Sequence, residues 1–148
     1  MSTSRGFTLI ELLVVIAIIG ILSSVVMATL GNARGKGNDA KVKSQLAAVR
    51  SRAEIFNSNN SSSYNGSAGN ISGPCTTANS MFTDVPSGMA QQVLQANYPN
   101  LATLTCYSTA GAYAVSALLP GVGGTNSWCV DSSGDSMSRA TAINSTAC

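Results

Sequence analysis

The residues able to do chemistry in this sequence are few, and the first of them stand at its head. Gly6-Phe7 is followed by a single carboxylate at Glu11, and the run is otherwise apolar to Leu30 with no proline. A cut between Gly6 and Phe7 would leave a free amine four residues before Glu11, one helical turn away. The chemistry of that pair is neutralisation, because an ionised acid near the middle of a spanning helix costs about 2.5–3.5 kcal/mol. The amine could come from the same subunit or from a neighbour. A plain interfacial acid that snorkels to the surface is the alternative, since Glu11 sits near the end of the stretch. Further along are Cys75, Cys106, Cys129 and Cys148, an even number in a histidine-free chain. With no Cys-x-x-Cys pair they favour disulfides over structural zinc. Asp131-Ser-Ser-Gly-Asp135 places two carboxylates around a turn, a weak calcium candidate that lacks the EF-hand spacing and its closing Glu. No phosphate loop or nucleophile–base set is visible, so neither catalysis nor a cofactor is expected.

These groups need elements to hold them. A helix crosses a bilayer with roughly 20 apolar residues, which residues 7–30 supply. A cleaved secretory signal has an apolar core of only ~7–15 residues and no acid, so a retained anchor is expected. Gly20 within it would let helices approach closely. Gly31, Gly35 and Gly37 follow, and Asp39 could serve an N-terminal turn if the helix restarts there. From there Val42, Leu46, Val49, Ala53 and Phe56 recur at three- and four-residue steps, an amphipathic stripe. The pattern predicts one helix from Phe7 to about Asn57, weakened or bent near residues 31–38.

Arg5-Gly6-Phe7-Thr8-Leu9-Ile10-Glu11, running into that hydrophobic helix, resembles the class III signal of type IV pilins and pseudopilins. The resemblance rests on the head of the chain alone. It implies that a prepilin peptidase cleaves after Gly6 and methylates the new amine on Phe7. It also implies that Glu11 pairs with a Phe7 amine during assembly into a filament of identical subunits. Many pilins carry a proline where Ala28 stands here, so flexibility would fall to the glycines beyond it. The organisation expected is a leader over 1–6, a polymerisation helix over 7–30, its amphipathic continuation over 31–57 and a disulfide-bonded head over 58–148.

Within the head, the Ser-, Asn- and Gly-rich residues 57–73 read as loop. Ser87 can cap a short helix through Met89–Ala96, ended by Pro99. Strands are expected at Leu104–Ser108, Ala112–Leu118 and Ser127–Asp131, with a weaker one at Ser136–Ala140. Such strands on the long helix make an α+β fold, a small antiparallel sheet packed on a hydrophobic N-terminal helix. Of the three possible cysteine pairings, Cys75–Cys106 and Cys129–Cys148 are favoured. The first pins the loop region to a strand. The second ties down the C-terminal tail, as in the disulfide-bounded region of many pilins. Trp128 beside Cys129 is expected in packing rather than recognition.

Charge narrows the partners. Only 9% of the 148 residues are charged, and six of the eight basic ones lie between Arg34 and Arg52. Such a stripe can bind nucleic acid or anionic lipid, but a solvated helix face beyond a membrane is the simpler reading, and nucleic acid is not an expected partner. Ordinary anchors keep such clusters cytoplasmic, whereas the cysteines ask for an oxidising compartment. The cysteines and the leader motif weigh more, because a polymerising subunit need not follow anchor statistics. The expected partners are therefore copies of itself, a prepilin peptidase and an assembly machinery. The expected sites are the inner membrane first and a surface filament afterwards, serving adhesion, motility or DNA uptake. A pseudopilin of a type II secretion system is the alternative.

Overall fold

The computed structural model describes residues 6–148. Of the expected leader only Gly6 falls among them; residues 1–5 lie outside the described residues. The chain divides between Arg34 and Gly35 into two units, and α1, Leu9–Asn59, belongs to both. Its first half is built of Leu, Ile, Val and Ala with no proline, so nothing removes a backbone donor from the ladder. In that half no part of the apolar window is buried.

The weakening expected near residues 31–38 is not found as an interruption: α1 is continuous through Gly31, Gly35 and Gly37. Gly35 has a packing reason instead. A Cβ placed on it would lie 3.1 Å from Gly121 Cα, and one placed on Gly121 would lie 2.4 Å from the Gly35 carbonyl oxygen. Two glycines thus let the loop carrying Gly121 touch the helix backbone. Asp39 does not restart a helix there. Its Oδ1 accepts the Gly121 N–H at 2.8 Å, closing the same contact.

The second unit carries a five-stranded antiparallel sheet in simple order: β1 (Ile71–Gly73), β2 (Leu104–Ser108), β3 (Tyr113–Leu118), β4 (Ser127–Asp131) and β5 (Ser136–Arg139). β1 arises inside the stretch read as loop. Ile71, flanked in sequence by polar residues, is buried in the hydrophobic core and pairs with Ser108, docking those three residues. α2 is only Met89–Gln92, shorter than expected, because Val93 leaves helical geometry at φ −103° and ψ 13°. A 3₁₀ turn, Gln95–Asn97, takes up the rest. Gly88 rather than Ser87 precedes α2, at φ 77°, a conformation glycine adopts freely. The Ser87 hydroxyl still accepts the Met89 N–H at 3.3 Å.

The core forms where the helical stripe meets the sheet. Val42, Leu46, Val49, Ala53 and Phe56 are all buried, in one cluster with Leu104, Cys106, Tyr113, Val115, Ala117 and Val130. Burying each large apolar side chain contributes about 1.5–3 kcal/mol. β3 is buried on both faces because Ala114, on the other side of the sheet, is covered by Ile143 and Cys129. The Ile143 N–H donates to Ser116 Oγ at 3.2 Å, fixing that tail.

Candidate functional site

The N-terminal end of α1 presents the proposed processing and assembly residues. Gly6 and Phe7 precede the helix, and Phe7 is 83% exposed. Thr8 is the N-cap, and its reciprocal bonds with Glu11 form a capping box. The Glu11 N–H donates to Thr8 Oγ1 at 3.3 Å, while Thr8 donates to Glu11 Oε2 from its N–H at 2.9 Å and from its hydroxyl at 2.6 Å. The spacing Thr-x-x-Glu signals this box in the sequence. It gives the carboxylate a place at the helix terminus, where the backbone N–H groups favour negative charge. One oxygen, Oε2, takes both Thr8 donors, so Glu11 retains an acceptor for an amine.

Half of the basic stripe is engaged with the head. Lys43 Nζ lies 4.5 Å from the Trp128 ring centroid, a cation–π contact that accounts for both residues. Arg50 donates to the Asp135 carbonyl and, at 3.1 Å, to Ser136 Oγ. Arg52 donates to the Ser87 carbonyl at 3.3 Å. Three of the six cations thus contact the head, Lys43 at β4 and Arg50 and Arg52 at the loop carbonyls of Asp135 and Ser87.

Two disulfides staple the head, Cys75–Cys106 and Cys129–Cys148. Asp131 secures the second. Its Oδ2 accepts the Cys148 N–H at 2.8 Å, and Oδ1 accepts the Ser133 N–H (3.0 Å), the Ser133 hydroxyl (2.9 Å) and the Asp135 N–H (3.1 Å). Burial alone would push its pKa up; the donors of Cys148, Ser133 and Asp135 outweigh burial and hold it below the usual carboxylate value. Four donors are aimed at this one buried carboxylate and hold the Asp131–Asp135 turn. Among the described residues no cluster of three metal-ligating side chains occurs. Tyr64 donates to Glu54 Oε1 at 2.8 Å; burial, helped by that carboxylate, pushes its pKa up to about 12.

Comparison with known proteins fits this geometry. Residues 1–27 match the prokaryotic N-terminal methylation motif. The chain is 41% identical over 59 residues to the type II secretion system core protein G of Klebsiella michiganensis, covering 40% of this chain and 42% of that protein. It is 42% identical over 72 residues to the type IV wide pilus major component of Thermus thermophilus, covering 49% of this chain and 55% of that protein. Escherichia coli core protein G matches at 38% over 56 residues, 38% of this chain and 39% of that protein. The chain thus spans about half, or less, of the length of the curated relatives it matches. No solved structure matches it significantly. The chain thus sets a prokaryotic N-terminal methylation motif at the head of an α+β, pilin-like fold, and over less than half of its length it is similar to a pilus component and to secretion-system core proteins.

Proposed function

We propose that this chain is a structural subunit that polymerises through the first half of α1 into a type IV pilus filament. The observation that carries the reading is the Gly6–Phe7 junction set before a fully exposed apolar helix holding one carboxylate. An exposed surface of that size does not persist in water. It needs a bilayer before assembly and neighbouring helices afterwards. A prepilin peptidase removes residues 1–6 and methylates Phe7, the inner membrane stores the product, and the assembly machinery lifts it into a filament on the cell surface. In the filament Glu11 meets a Phe7 amine, which sets the axial register between subunits. The organisation follows: leader 1–6, polymerisation helix 7–30, amphipathic continuation 31–57 and head 58–148.

The second reading is a pseudopilin of a type II secretion system, and the core protein G relatives favour it. Deleting the chain's gene and then following two readouts separates them. Loss of filaments sheared from the cell surface, with secretion intact, is expected for the pilus. Retained surface filaments with a block in protein secretion would favour the pseudopilin instead.

A further inference from the structure

The chain has six side-chain carboxylates, and the fold uses all but one of them. Glu11 accepts from Thr8, Asp39 from Gly121, Glu54 from Tyr64, Asp84 from Ser87, and Asp131 from Ser133, Asp135 and Cys148. Asp135 stands exposed at the turn between β4 and β5. Its carbonyl accepts from Arg50 and its N–H donates to Asp131, but its carboxylate has no partner among the described residues. Lys41 is the counterpart, exposed and with no hydrogen bond or ion pair among the described residues. The two cannot meet within one head, because they belong to opposite flanks of α1. At 100° per residue, Lys43 and Arg50 share one flank of the buried stripe, and there they meet Trp128 and the β4–β5 turn. Lys41 comes nine residues before Arg50, two and a half turns, and so projects on the other side. Gln45 and Arg52 share the side of Lys41 and bond there to Asn97 and Ser87.

We propose that the Lys41 ammonium group of one copy pairs with the Asp135 carboxylate of the next, a contact between heads that supplements the packing of apolar helices. The partner is a second copy of this chain, since a copy set alongside in the same orientation presents the opposite charge. A contact between two different patches is heterologous, and heterologous contacts that do not close build open helical filaments. The inference rests on the polymerisation reading above. A helical step raises every residue of a copy equally, and pairing Phe7 with a neighbour's Glu11 sets that step at four residues, about 6 Å. The same step brings Lys41 from nine residues below the neighbour's Arg50 to five, roughly 7–8 Å. The four-carbon lysine stem and the reach of Arg50 to Asp135 take up that remainder. The pairing serves a pilus and a secretion filament equally.

The test measures filament yield from cells carrying Lys41→Asp, Asp135→Lys or both changes. Each single reversal sets like charges face to face and should lower the yield about tenfold or more. The double reversal should restore it to within about twofold of the unaltered chain. Zero-length carbodiimide coupling on unaltered cells is the second readout. An amide between Lys41 Nζ and Asp135 Cγ, formed with loss of water, is expected in covalent dimers. Unchanged yield from both single variants, a double reversal that folds but recovers nothing, or dimers without that amide overturns the pairing and leaves polymerisation standing. Should a reversal unfold the head, as read by circular dichroism, the coupling on the unaltered chain decides. Absence of both filaments and covalent dimers from the unaltered chain would overturn polymerisation itself, and the pairing with it.

Discussion

Glu11 has two partners to serve, the Thr8 donors of its own helix and, in the proposed filament, an amine. The two are separable, because a capping box accepts Gln as well as Glu. Glu11→Gln is expected to leave the monomer's helix content unchanged by circular dichroism while abolishing filaments in electron micrographs. Wild-type filament numbers would show that the charge is dispensable. The lone acid in an apolar run was legible in the sequence as a question of charge. Its bond to Thr8 is equally present in the Thr-x-x-Glu spacing. Asp131 was legible only as a possible cation ligand, since its donors come from Ser133, Asp135 and the distant Cys148, a convergence that chain order does not display. Its depressed pKa means that it stabilises the head above the ordinary carboxylate pKa, about 4. That contribution is lost as pH falls through the still lower folded value. Head melting temperature should therefore drop on acidification below about pH 4, and Asp131→Asn should flatten this dependence and cost about 1–3 kcal/mol at neutral pH. Tyr64 acts in the opposite range. Its raised pKa, about 12, stabilises the fold below the ordinary tyrosine value, about 10, and this support fades as pH climbs through the folded value.

Helix α1 is held by its stripe, and the stripe was the most legible element of the chain. Val42, Leu46, Val49, Ala53 and Phe56 recur at the helical period, and all five are buried. Leu46→Ala should destabilise the head by about 2–5 kcal/mol in denaturant unfolding. The glycines were misleading, because a propensity scale assigns each a weakness without knowing what lies opposite. Gly35 meets Gly121, and Asp39 meets the same residue from 82 positions away; no local pattern reports that meeting. Gly121→Ala would set a Cβ 2.4 Å from the Gly35 carbonyl oxygen, so it should lower stability by about 1–3 kcal/mol and speed hydrogen exchange around residues 35–42. Unchanged exchange would mean that the loop simply moves aside. The strands were legible where alternation met a well-defined turn, as in Leu104–Ser108 and Ser127–Asp131. β1 was not, since three residues with one apolar side chain carry no period and depend on β2 for their pairing.

The whole molecule joins an exposed apolar helix segment to a head that stays folded by stapling. Its disulfides close loops of 31 and 19 residues, each contributing roughly 3–4 kcal/mol in the chain-entropy view. Reduction should accordingly lower the head's melting temperature far more than any single core substitution. The even cysteine count made a disulfide-bonded head legible. The N-terminal pattern made the long apolar helix segment and the methylation motif legible. The measurement that bears most directly on the central claim is the intact mass of protein sheared from the cell surface, taken with and without reduction. The account predicts loss of residues 1–6, one added methyl group on Phe7 and a gain of four hydrogens on reduction of the two disulfides. A full-length, unmethylated chain would contradict it, leaving the helix an anchor and nothing more.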